Sequence, residues 1–433
     1  MDRELRLKKG RDARQKLSRK ALAETRCKER NFDPVSLLMS RVEGRIRKLL
    51  PVKYARMQAS PFTFFRGSVG IMAADLAAGS HTALRVQLCG DAHLENLGSF
   101  EGPDGRLIFD INDFDETIEG PWEWDVKRMA TSIVLAGLES GHSNGSCETA
   151  ASEFAGSYCR LMEELADLPV LQAARYQIHR ARKSQAVSAA IAQSQRASPV
   201  DLLKKYTEAG GNGRRHFKRI EHVLWPIRNR RAEVLHSVES YRKSIAPERQ
   251  HVFGFFRPKD VAFKIVGTGS VALRDYVVLM EGNGDADALF LQIKQEPPSA
   301  YAEYLPGSGV PHQGQRVVEG QRRIQPVSDP LLGWTRIGDE DYLVRQLNDH
   351  KGSVDLKNLR GEGLASIAEI AGELLARGHA RSGDAVAIGA YMGKPESVVD
   401  SISRFATAYA KQVQSDFEAF EQAIKKGRVK VAA

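Results

Sequence analysis

The chain is expected to fold as an α+β protein of two lobes, a mainly helical lobe followed in sequence by a small antiparallel β lobe. Three observations predict this. From Asp125 to about residue 250 the apolar residues recur at helical spacing, interrupted only by Gly, Ser and Pro breaks. Between about residues 251 and 350 the pattern turns to short β-branched and aromatic runs bounded by turn residues. A length of 433 residues, with 42% hydrophobic and 27% charged, allows both lobes a core of their own.

Taken in order, residues 1–50 form an Arg/Lys-rich, basic helical extension, and Ser60-Pro-Phe-Thr-Phe-Phe-Arg-Gly67 starts the compact part. A helix is expected from about Val69 to Ala78, then a strand over Leu107 to Ile111, then helices Val126 to Leu138, Cys147 to Leu165 and Val187 to Glu208. These belong to a helical lobe spanning 51–250. The β-rich lobe, 251–350, carries runs at Val261–Val266, Tyr276–Met280 and Leu289–Lys294, a helix from Gly314 to Gln325, and two last strands at Leu331–Thr335 and Tyr342–Leu347. A hinge is expected near Asn348. Residues 351–433 then return to helix, Leu364 to Arg377 and Val398 to Ile424, completing the helical lobe.

Charge and cysteine usage exclude several classes. The formal charge is +9, with basic residues concentrated in the first thirty positions and again between Arg214 and Arg231. Neither block carries a nucleic-acid reader motif, so a polynucleotide partner is not expected, and the excess suits a site that attracts ATP or another anion. Cys27, Cys89, Cys147 and Cys159 are scattered without a Cys-x-x-Cys pair, against a zinc site or a disulfide framework. No apolar run of about 18 residues or more is present and the N-terminus lacks an apolar signal core, so a cytoplasmic location with no membrane partner is expected.

The chemistry-bearing residues lie between Cys89 and Asp125: Cys89-Gly-Asp-Ala-His-Leu-Glu-Asn96, Asn112-Asp-Phe-Asp-Glu116 and Gly120-Pro-Trp-Glu-Trp-Asp125. One carboxylate, one amide and a second carboxylate can meet there in one cleft. Kinase-type phosphotransfer needs that trio, with Asp91 to accept or orient the substrate hydroxyl and Asn96 and Asp113 to hold Mg²⁺ on the phosphates of ATP. His93 is a candidate contact to substrate or phosphate, Cys89 a small buried filler, and Asp110 and Asp115 alternative metal ligands. Gly267-Thr268-Gly269-Ser270-Val271 lies between two strands, as a phosphate-covering turn does, and Lys294 ends the next strand where a kinase carries its phosphate-binding lysine. Glu319, with Glu303 as fallback, is the candidate carboxylate partner of Lys294.

The catalytic loop near residue 100 precedes the nucleotide lobe near residue 300, the reverse of an ordinary kinase. A circularly permuted protein-kinase-like fold is therefore expected, which is physically admissible because the termini of a domain often lie close together. His379-Ala-Arg-Ser-Gly-Asp384 is a rival catalytic loop, but five residues beyond Asp384 stands Gly389, which has no side chain to ligate metal.

The Cys89–Asn96 spacing resembles the aminoglycoside phosphotransferase and choline kinase branch of the protein-kinase-like superfamily, where a His-Gly-Asp-x-His-x-x-Asn loop precedes an Ile-Asp-Phe/Trp metal segment. Cys89 stands in place of the first His. The resemblance implies that Asp125, which opens the next helix, braces the catalytic loop. From about residue 30 the chain also resembles the bacterial family known as domain of unknown function 2252, in the blocks quoted above and in Lys264-Ile-Val-Gly-Thr-Gly-Ser-Val271 and His379–Asp384. That likeness implies the fold and a nucleotide site, and leaves the small-molecule acceptor open. Two other classes compete: a non-catalytic nucleotide-sensing module on the same fold, and a metal-dependent hydrolase built from Asp91, His93, Asp113 and Asp115.

Overall fold

The structure, a computed structural model, describes residues 2–102, 104–178, 184–195, 199–210, 215–265, 271–284, 287–307, 310–347, 352–356 and 359–432. It is an α+β protein. The largest core belongs to a body of helices in which Asn144–Asp167 packs along Gly363–Ser382, Trp122–Glu139 packs on both, and Glu396–Lys425 packs on Asn144–Asp167 and Trp122–Glu139. The last of these buries Val398, Ile402, Phe405, Tyr409, Val413, Phe417 and Phe420, a three-and-four spacing that makes one apolar stripe. Close approach is bought with glycine at Gly372, where a Cβ would meet Phe154 O at 2.3 Å. Within the basic N-terminal segment, Arg3–Lys16 is an α-helix that docks on Ala385–Met392 and thereby joins the helical body, while Arg19–Ala23 and Cys27–Glu29 are short 3-10 turns.

The β-rich part is a six-stranded antiparallel sheet in the order Gly333–Ile337, Glu340–Gln346, Ala288–Gln295, Asp275–Glu281, Arg257–Lys264, Leu224–Pro226. The last strand comes from before residue 251, so the sheet recruits chain from the segment read as helical. The central strands read as nearly continuous apolar runs because both faces are covered. One face packs Val261, Val278, Leu291 and Ile293 on Val234, Val238 and Tyr241 of the helix Arg231–Arg242. The other packs Ala262, Val277, Leu279 and Phe290 on Leu203 and Tyr206 of the helix Pro199–Tyr206. The single helix expected over Val187 to Glu208 is two, Gln185–Gln195 and Pro199–Tyr206, since proline is tolerated in the first turn of a helix and not in its interior.

Two smaller sheets frame the segment from Cys89 to Asp125. Arg85–Leu88 pairs with Ile118–Pro121, and Leu97–Glu101 pairs with Leu107–Ile111 on one side and Gly352–Ser353 on the other. The helix Val69–Ala78 has the expected bounds. Gly267 to Ser270 and the hinge position Asn348 lie outside the described residues.

Candidate active site

The strand Arg85–Leu88 delivers the chain into Cys89-Gly90-Asp91. Gly90 has φ +86°, and a Cβ there would meet Glu116 O at 2.2 Å, so the turn requires glycine. Asp125, in the first turn of Trp122–Glu139, accepts the backbone N–H of Cys89 at 2.7 Å and of Gly90 at 3.0 Å, and His379 Nε2 lies 3.3 Å from its carboxylate. That is the bracing role implied by the resemblance. Three residues on, one helical turn away, the fully buried Arg128 donates through Nε to Asp91 at 2.8 Å. Asn96 donates its amide to Asp91 O at 2.7 Å, and its side-chain oxygen accepts no hydrogen bond among the described residues.

Burial raises the Asp91 carboxyl, while Arg128 and Arg66 oppose the shift. His93 is buried, lies 3.6 Å from Asp91, and receives Arg66 Nε at 3.4 Å. Burial, Arg66 and Arg128 all push its imidazole well below the ordinary value, so it stands neutral. Cys89 is the expected buried filler, its thiol pushed up by burial.

Past the strand Leu107–Ile111 the three aspartates separate. Asp110 is fully buried on Arg377 and is structural rather than metal-binding. Arg377→Met is expected to destabilise the fold by about 3–5 kcal/mol, because it strands a buried carboxylate. Urea unfolding would check this, and an unchanged midpoint would contradict it. Asp113 and Asp115 both line one cavity of about 730 Å³ together with Asp91, His93, Asn96 and Lys294. Burial and the neighbouring Asp115 push the Asp113 carboxyl above its usual range, whereas Lys294 holds Asp115 below it against the cost of burial.

Lys294 reaches this group from the sheet. It is buried in the strand Ala288–Gln295, between Asp275 and Leu343 of its neighbours, and its amine forms an ion pair with Asp115, 179 positions away in sequence. Burial disfavours its charge, yet Asp115, Asp113 and Glu296 raise it above its ordinary value. The expected partner, Glu319, is elsewhere: it accepts Gln315 Nε2 at 2.7 Å and does not line the cavity. The helix Gln313–Ile324 turns Arg316 to the site instead, where the guanidinium donates to Thr117 O (2.6 Å), Asp115 O (2.9 Å) and Pro297 O (3.0 Å). Glu303 does line the cavity, but it is paired with Arg41. Gly267 to Ser270 lie outside the described residues, and the carbonyl of Val271, which follows them, accepts Arg45 at 3.0 Å.

Several residues of the site were not singled out from sequence. Lys264 and Arg345 line the cavity on the sheet side, with Arg345 donating to Gln292 at 2.9 Å and Gln292 to the buried Asp275 at 2.6 Å. Glu296, two residues beyond Lys294, is buried, and its carboxyl is pushed well above the ordinary value by burial, with both oxygens unpaired among the described residues. The period-two spacing from Lys294 was its available signal. Asp384, in the rival loop, caps Ala385–Met392 by accepting Ala387 N at 3.1 Å and pairs with Arg6.

Among the described residues no three His, Cys, Asp or Glu side chains are grouped to hold a metal by themselves. The hard oxygens of Asn96 and Asp113 fit Mg²⁺, which commonly takes one or two protein ligands and completes its shell with waters and phosphates. The raised Asp113 carboxyl beside Asp115 marks a place where added positive charge is favourable. No helix among the described residues is long and apolar enough to cross a membrane. No curated protein and no solved structure matches the chain. One family does, over residues 45–423, and the chain therefore belongs to the DUF2252 family, described as an uncharacterized protein conserved in bacteria.

Proposed function

We propose that the chain is an ATP- and Mg²⁺-dependent phosphotransferase acting on a small-molecule hydroxyl, with a permuted protein-kinase-like arrangement of its sheet and helical body. The observation that carries this reading is the meeting of Lys294 with Asp91, Asn96, Asp113 and Asp115 around one cavity, although nothing local in the sequence brings position 294 to that loop. When bound, Mg²⁺ supplies positive charge against the phosphates, held by Asn96 and Asp113. Asp91, fixed by Arg128, orients the acceptor hydroxyl and takes its proton as the hydroxyl oxygen bonds to phosphorus and the bond to the departing nucleoside diphosphate breaks. Lys294, with Lys264 and Arg345 beside it, is placed to bind phosphate oxygens, and Asp115 holds its amine in position until then. The neutral His93 is suited to touch the acceptor without repelling Arg66.

Two further features support the reading. Ser299 donates to Glu116 O and Tyr301 to Gly90 O, each at 2.8 Å, so the segment leaving the Lys294 strand is tied directly to the catalytic loop. A metal ligand must also be deprotonated, and the raised Asp113 carboxyl makes this visible. Mg-dependent ATP affinity is expected to fall on acidification while the pH is still above the ordinary carboxylate range, because protons compete at Asp113. Calorimetric titrations across pH check it. In Asp113→Asn the pH dependence should disappear along with most Mg-dependent affinity, and an unaltered profile in that variant would remove Asp113 from the site.

A further inference from the structure

We propose that the acceptor is itself an anion, a hydroxyl compound bearing a phosphate or carboxylate that Lys53 and Arg66 hold beside Asp91. This rests on the phosphotransferase reading and names the substrate class for the same site. The cavity has two cationic sides. Lys264, Lys294 and Arg345 project from the sheet, and the opposite wall is built by the N-terminal segment, with Lys53 on the helix Leu50–Met57 and Arg66 on the helix Pro61–Gly67. Arg66 is paired with Glu95 and touches His93. Lys53 differs from it. Only 7% exposed, it lines the cavity and has no hydrogen bond or ion pair among the described residues.

An ammonium buried in that way is costly unless an anion joins it. Burial, with Arg45 nearby, pushes the Lys53 amine well below its ordinary value, and Glu116 and Asp91 are too weakly placed to reverse this. The first turn of the helix Val69–Ala78 lines the same cavity, and a helix N-terminus favours negative charge. At Gly70 a Cβ would meet Arg41 Nε at 2.6 Å, so the glycine lets that guanidinium lie against the turn, its Nε buried without a partner among the described residues. An anion seated here leaves the rest of the acceptor next to Asp91, whose carboxylate takes the hydroxyl proton as the phosphoryl group moves from ATP to the oxygen. A cationic amino alcohol would meet like charge.

The test uses the full chain. Inorganic phosphate is titrated calorimetrically into wild type, Lys53→Met and Lys53→Arg. ADP release from MgATP is then followed with glycerol 3-phosphate, lactate, glycerol or choline as acceptor. Phosphate affinity should fall by roughly ten- to a hundredfold in Lys53→Met, the range of a charge-assisted hydrogen bond, and recover in Lys53→Arg. Stimulation by glycerol 3-phosphate or by lactate separates a phosphate from a carboxylate acceptor. The proposal is overturned if wild type binds no phosphate, if Lys53→Met binds it equally well, or if choline alone stimulates turnover. Absence of Mg-dependent ATP binding, with Lys53-dependent phosphate binding retained, would instead remove the phosphotransferase reading and leave the anion site standing.

Discussion

Asp91→Asn should lower phosphoryl transfer by roughly 10²–10⁴-fold, the contribution of a positioned general base, while Mg-dependent ATP affinity stays nearly unchanged. The amide keeps the shape and can still accept from Arg128, so the nucleotide side of the cavity is undisturbed. It cannot take the acceptor proton, and it leaves the buried Arg128 without its counter-charge, so the melting temperature should fall as well. Measuring turnover, nucleotide affinity and melting on one preparation separates these effects. Undiminished turnover would remove Asp91 from the chemistry. Wild-type protein that binds ATP yet transfers phosphate to no acceptor, water or itself would favour the nucleotide-sensing module.

Lys294→Met is expected to weaken MgATP binding by roughly ten- to a hundredfold, since one charge-assisted contact to phosphate is lost. It also strands Asp115, for which the cost is about 3–5 kcal/mol of stability when a buried pair loses one member. Lys294 depresses the Asp115 carboxyl, so its contribution is present above the unfolded-state value and is lost as pH falls through the folded one. The stability deficit of the variant should therefore be greatest at neutral pH and shrink in acid, where Asp115 is protonated in both folded and unfolded chains. Urea unfolding at neutral and acid pH measures it. A deficit that grows on acidification would contradict the assigned pairing.

Much of the site was legible because its residues are close in sequence. Asp91, Asn96 and Asp113 sit in the connections between short strands and Asp125 in the first turn of the helix that follows, and local spacing is enough to bring them together. The strand ending at Lys294 was legible from its apolar run. What spacing could not supply was docking. The helix Gln313–Ile324 carries Arg316 and Glu319 three residues apart, and only tertiary packing decides that Arg316 turns toward Asp115 while Glu319 pairs with Gln315. Asp115 was visible as an alternative metal ligand, but its role as the partner of Lys294 needs the sheet in place. Lys53 reads as one more lysine in a basic segment, the kind that is nearly always solvated. Its burial becomes apparent only when the helix Leu50–Met57 is docked beside the Cys89–Asn96 loop.

In the proposed function Lys294 and the Asp91–Asp115 loop serve one nucleotide. Calorimetric titration of ATP into the wild-type chain, with and without Mg²⁺, tests it most directly when repeated on Lys294→Met and Asp113→Ala. One Mg-dependent site per chain is expected, weakened by either substitution although the two residues lie on the sheet and on the loop. Wild-type protein with no Mg-dependent affinity for ATP or GTP, or with an affinity that neither substitution alters, would contradict it.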